Sequence, residues 1–173
     1  MNSNRIRLTR LTFLKWWFAL GVGLLAALPA TAGEVLPGRA QLAAFLEASP
    51  EAVAVVMVST PGCPICEIVR REQLLPLQRD SNFADIAVFE VLMQDDHAQL
   101  LLFNTHSQPG KIARMSPKRL AASLNIRLAP TLLFLNQRRQ LAEPLVGYAS
   151  ADFYWSYLNE RLDTARRNAG TSR

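Results

Sequence analysis

The stretch Val53-Ala54-Val55-Val56-Met57-Val58-Ser59-Thr60-Pro61-Gly62-Cys63-Pro64-Ile65-Cys66 decides the fold. Ala52 to Val58 is a continuous apolar run rich in valine, which suits a strand covered on both faces. Ser59 to Gly62 reads as a turn, and the cysteine motif follows at once. From Pro64 the spacing of Ile68, Val69 and Leu75 predicts a helix that Pro76 ends. The chain's 2 cysteines are Cys63 and Cys66. A bridge over two intervening residues constrains little of the unfolded chain, so stapling is a poor account of the pair. At the opening of a helix, unpaired amide N–H groups and the helix dipole stabilise a thiolate at the first cysteine. Pro64 suits that place, having no N–H to leave orphaned. The second thiol, one helical turn on, can resolve a mixed disulfide within the same molecule.

Upstream, Leu42, Phe45 and Leu46 at helical spacing predict a helix over Arg39 to Ala48, stopped by Ser49-Pro50. Downstream, Ile86 to Leu92 predicts a second strand. Ala98 to Phe103 reads as a short helix and Ser107-Gln108-Pro109-Gly110 as a loop. Ser116-Pro117 opens a helix to about Leu124, with serine as cap and proline at the first helical position. Thr131 to Leu135 predicts a third strand, preceded by Leu128-Ala129-Pro130; a proline there, kept out of the ladder, suits a cis peptide. Asn136 to Arg139 is a polar turn. Leu141 to Val146 is a fourth strand that Pro144 assigns to a sheet edge. Ser150-Ala151-Asp152 starts a last helix with Phe153, Tyr154, Tyr157, Leu158 and Leu162 as its apolar stripe. Helices alternating with strands in this order make an α/β sandwich, a sheet between layers of helix.

The first 32 residues read as a secretory signal peptide. Met1 to Lys15 is basic, Trp16 to Leu28 is uninterruptedly apolar, and Ala30-Thr31-Ala32 supplies the small-x-small cleavage pattern. The apolar run is shorter than the roughly twenty residues that cross a bilayer, so an uncleaved anchor is the second choice. Residues 33–38 read as a linker, 39–167 as the domain with an insertion at 95–115, and 168–173 as a disordered tail. Of the formal net charge of +5, Arg5, Arg7, Arg10 and Lys15 of the leader carry four units, so the exported part is close to neutral. Clustered cations that would neutralise phosphates are absent from it, which argues against nucleic acid as a partner. His97 and His106, the only histidines, lie in the insertion at a spacing that does not fit a compact zinc module. Glu67, Arg70, Arg71 and Glu72 read as a solvated helix face, with Glu67 placed to modulate the local field.

The strand Val53 to Val58, the motif Cys63-Pro64-Ile65-Cys66, and the segment Leu120 to Thr131 leading into Leu132-Leu133-Phe134-Leu135 together resemble the thioredoxin superfamily. The likeness spans about Ala40 to Leu162. It implies a three-layer fold with a central mixed sheet of about four strands flanked by helices, and a cis Pro130 packed against the cysteines. It implies Cys63 as attacking thiolate, Cys66 as resolving thiol, and the backbone of Ala129 as a pairing edge for an extended substrate segment. Pro64 and Ile65, between the cysteines, would tune the redox potential. Gly62 stands where the family usually has tryptophan, and Met57 where it keeps a buried acid. The tail Val146-Gly147-Tyr148-Ala149-Ser150-Ala151-Asp152-Phe153-Tyr154-Trp155 also resembles periplasmic thioredoxin-like proteins of sulfur-oxidation (Sox) systems.

The expectation is thus a periplasmic, monomeric protein-disulfide oxidoreductase acting in redox homeostasis, its direction not set by the sequence. Its partners would be protein thiols and disulfides, a membrane electron donor and a sulfur-oxidation protein being candidates, with the membrane touched only through an uncleaved leader. No organic cofactor or metal is needed, since the electrons pass between sulfurs. Two rivals use the same cysteines: a soft-metal carrier for copper or zinc, and a binding or regulatory module that keeps the fold without catalysis. Gly62 and Met57 keep the second rival open.

Overall fold

Seven consecutive buried residues, Val53–Ser59, form the central strand β1. The computed structural model describes residues 35–97, 100–103 and 112–170; the expected leader, the loop at 107–110 and the last three residues lie outside them. β1 runs parallel to β2 (Ile86–Leu92) and antiparallel to β5 (Thr131–Leu135), which pairs antiparallel with β6 (Gln140–Val146). The sheet order is β2-β1-β5-β6. Alternate residues of β1 feed two separate cores, as the two-residue period of a strand requires. Val53, Val55 and Met57 face Val69, Leu74 and Leu77 of the chain after the cysteines, together with Tyr154, Leu158 and Leu162 of α5 (Ala151–Ala169). Ala54, Val56 and Val58 face Leu42 and Leu46 of α1 (Arg39–Ala48) and Leu120 of α4 (Pro117–Ser123). Sheet order, mixed strand directions and the two helical layers are those of the thioredoxin fold expected from the sequence.

The helix after the motif differs from expectation. α2 (Pro64–Val69) passes into a π-helical turn over Arg70–Leu74 and then α3 (Leu75–Arg79), so Pro76 does not end it. Proline cannot donate to an α-helical ladder, and its ring collides with the carbonyl four residues back. The π turn shifts the ladder, with the Leu75 N–H bonded to the Arg70 carbonyl, and Pro76 falls into the opening turn of α3.

The 95–115 insertion is also corrected. In place of a helix from Ala98 to Phe103, Leu100–Phe103 is a strand, β3, paired antiparallel with β4 (Ile112–Met115). Leu100 and Leu102 are fully buried and join Met115 in the second core, a period of two where a helix would show nearly four. A short apolar run cannot declare its period without its partner strand. Arg39 of α1 is ion-paired with Asp95, and Lys118 of α4 bonds Asp96 at 3.0 Å, which ties the start of the insertion to both helices.

Three further expectations are revised. Within the expected linker 33–38, the described residues are packed down: Leu36 is buried in the first core, and the Pro37 carbonyl accepts the Glu90 N–H of β2 at 2.9 Å. The last helix continues through Ala169 to a left-handed Gly170, overrunning the start of the expected tail. On that helix Phe153 and Tyr157 are exposed, and the buried stripe continues instead through Ala165 and Arg166. Arg166 is held by Asp85 at 2.6 and 2.8 Å and stacks on the Phe83 ring, which clamps α5 to the chain entering β2.

Candidate redox site

β1 ends at Ser59, and the chain turns through Gly62, whose φ of 68° is left-handed. Glycine is the residue that takes this conformation without a Cβ penalty, which accounts for its presence at this turn. Cys63 is then the N-cap of α2, and its Sγ accepts the Cys66 N–H at 3.1 Å. Pro64 occupies the first turn, as the sequence suggested. The two cysteines are joined as a disulfide, with Cα atoms 5.3 Å apart. Cys66 is 1% exposed while Cys63 is only half-buried, so a macromolecular partner can reach the first sulfur and not the second.

Strand register brings the proline segment to the same end of the sheet. Val58 pairs with Thr131, so the Ala129–Pro130 peptide, which is cis, sits across from the end of β1 that leads to Cys63. Ala129 is half-buried and Pro130 buried, with the Pro130 carbonyl taken by the Gly147 N–H at 2.8 Å. Pairing of Ser59 with Leu92 and of Thr131 with Val146 puts two exposed apolar residues at this end as well. Ile65, between the cysteines, and Leu128, just before Ala129, are exposed apolar residues as well.

Below Cys63 lies a cavity of about 330 Å³, walled by the Ser59–Pro64 turn together with Glu67, Arg70, Glu90 and Leu92. Sequence reasoning missed what fills its polar side. Glu90 is the parallel-register partner of Met57, so a carboxylate stands on β2 beside the strand position that carries none. Arg70 Nε and Nη2 each donate to it at 2.7 Å, and Ser59 Oγ donates at 2.6 Å. Arg70 is also ion-paired to Glu67, the residue after Cys66. The Glu90 hydrogen bond, opposed by burial, raises the Arg70 guanidinium above its ordinary pKa. Glu90 is the lone charge in an otherwise apolar strand, and that was the available signal. His97 is not part of the site; its backbone bonds Asp95 and its side chain is exposed, while His106 lies outside the described residues. Among the described residues no three His, Cys, Asp or Glu side chains are grouped to hold a metal ion.

No family model matches the chain, and no curated protein matches it. Among solved structures it is similar to thioredoxin f2 of Chlamydomonas reinhardtii, at 20% identity and a TM-score of 0.48 over 72% of this chain and 94% of that one. It is similar to thioredoxin f of spinach chloroplast at 16% identity and a TM-score of 0.48, over 78% of this chain and 88% of that one. It is also similar to the reduced periplasmic thioredoxin SoxS of Paracoccus pantotrophus at 17% identity and a TM-score of 0.43, over 70% of this chain and 99% of that one. The class of the molecule rests on its own strand order and register: a thioredoxin-fold domain carrying a C-x-x-C disulfide at the start of a helix.

Proposed function

We propose that the chain is an exported thiol–disulfide oxidoreductase that exchanges disulfides with protein partners through Cys63 and Cys66. The observation that carries this reading is the unequal access to one bonded pair, Cys63 at the surface and Cys66 covered. In the reducing direction the Cys63 thiolate attacks one sulfur of a partner disulfide and expels the other as a thiolate, leaving a mixed disulfide. Cys66 then gives up its proton and attacks the Cys63 sulfur, which closes the intramolecular disulfide and releases the partner as a dithiol. The oxidising direction is the same path reversed. The Cys66 N–H, already directed at Cys63 Sγ in the disulfide, is placed to stabilise the Cys63 thiolate before it attacks and again when it is expelled in the reverse direction. Ile65, Leu128 and Val146 offer an apolar seat to a partner segment laid along Ala129. Export rests on the expected leader at 1–32, and the sulfur-oxidation context on the likeness of Val146 to Trp155 to periplasmic thioredoxin-like proteins of Sox systems.

The test is Cys66→Ala expressed as the full chain in an exporting host. Mixed disulfides through Cys63 should accumulate in the exported fraction, dissolve with dithiothreitol, and vanish in the double cysteine variant. If no partner is trapped while Cys63 remains titratable, the exchange mechanism is wrong.

A further inference from the structure

The charges in the cavity beside Cys63 have no part in the exchange just described. Three charged side chains line it: Glu67, Arg70 and Glu90. They form a continuous chain, Glu90 to Arg70 through two hydrogen bonds and Arg70 to Glu67 through an ion pair. Two carboxylates and one guanidinium leave one net negative charge. Glu90 and Arg70 are withdrawn from water, with side chains 14% and 18% exposed, so bulk screening of the inner pair is weak. Glu67 follows Cys66 in the chain, and its N–H bonds the Cys63 carbonyl at 3.2 Å. The π-helical turn begins at Arg70 itself, the residue that spans from α2 to β2. Such turns are frequent at functional sites.

We propose that the Glu67–Arg70–Glu90 chain sets the redox poise of the Cys63–Cys66 couple and biases it toward the reducing side, with Glu90 as the positioning residue that anchors the chain to β2. The proposal rests on the exchange reading and adds a direction to it. Two electrons and two protons from a donor dithiol break the Cys63–Cys66 bond and make two thiols, while the donor closes its own disulfide. Cys63 then ionises, releasing its proton to solvent. The opening of α2 favours that thiolate, and the net negative cavity opposes it. Whatever destabilises the thiolate weakens the reduced form and makes the couple a better reductant.

The experiment equilibrates the full chain with reduced and oxidised glutathione at pH 7 and reads the dithiol fraction. Glu67→Gln and Glu90→Gln should each shift the equilibrium constant toward the dithiol about threefold, or about 14 mV at 29.6 mV per tenfold for two electrons. Both should lower the Cys63 thiol pKa read from the pH dependence of alkylation. Glu90→Asp, which keeps the charge, should stay near the parent, and Glu47→Gln on α1 should not move. Glu67 is half-exposed, so its variant keeps the test decisive where Glu90→Gln folds poorly. No shift in Glu67→Gln, or a shift toward the disulfide in either variant, overturns the proposal while the exchange reading stands. A parent pair that never equilibrates with glutathione overturns the exchange reading itself.

Discussion

Arg70 grips both carboxylate oxygens of Glu90, Nε to one and Nη2 to the other, each at 2.7 Å. The contact joins the cysteine-bearing helix to β2, across a cavity that Cys63 also lines.

Removing one partner of this pair should cost more than removing both. Arg70→Leu leaves the Glu90 carboxylate largely buried and without its cation, and about 2–4 kcal/mol of stability should be lost in urea unfolding. The double variant Arg70→Leu with Glu90→Leu should recover part of that loss, because no unpaired charge remains. A double variant no more stable than the single one would show that the pair is not acting as a unit.

The β3–β4 hairpin is an integral part of the core, and Leu102 is its measure. Its side chain is fully buried in the α1-side core. Leu102→Ala should therefore destabilise the whole domain by about 2–5 kcal/mol in a single cooperative transition. A variant that melts the hairpin alone, with the Trp155 fluorescence transition unmoved, would contradict this packing.

At Gly62 the obstacle to substitution is backbone geometry and not space. An added Cβ would meet nothing within 4 Å, yet φ is 68°. Gly62→Ala should cost about 1–2 kcal/mol, and Gly62→Asn less, since asparagine tolerates the left-handed region. Equal stability of all three proteins would disprove the constraint.

Alkaline pH should weaken the fold through Tyr154. Burial, with a smaller contribution from Tyr148, raises its phenol well above the ordinary value of 10.0. The unfolded chain ionises Tyr154 from about pH 10 while the folded chain still holds the proton. The stabilising effect is complete below pH 10 and is lost as pH climbs toward the folded value, at up to about 1.4 kcal/mol per pH unit. Tyr154→Phe should flatten that limb of a stability–pH profile; an unchanged slope would rule the residue out.

The elements that sequence disclosed best are those whose signal is local. β1 could be read from its valines, α4 from Ser116 and Pro117, and the β6 edge from Pro144, because caps and lone prolines act within a few residues. The cysteines and the Ala129–Pro130 segment were legible for the same reason. What escaped depends on partners distant in the chain. Leu100 to Phe103 becomes a strand only through Ile112 to Met115, and Pro76 is tolerated only because the ladder shifts at Arg70. Arg70 read as one of a set of solvent-facing charges, and nothing near it in sequence announces Glu90, twenty residues on.

Both margins of the four-stranded sheet are unwelcoming to a visitor. On one side Pro37 already occupies the Glu90 amide and Leu36 is sunk into the core beside it. On the other, β6 carries Pro144, which has no N–H to offer. A stray chain searching for a strand to copy finds one rim taken and the other interrupted, so edge-to-edge growth of the kind that seeds aggregates is discouraged at both.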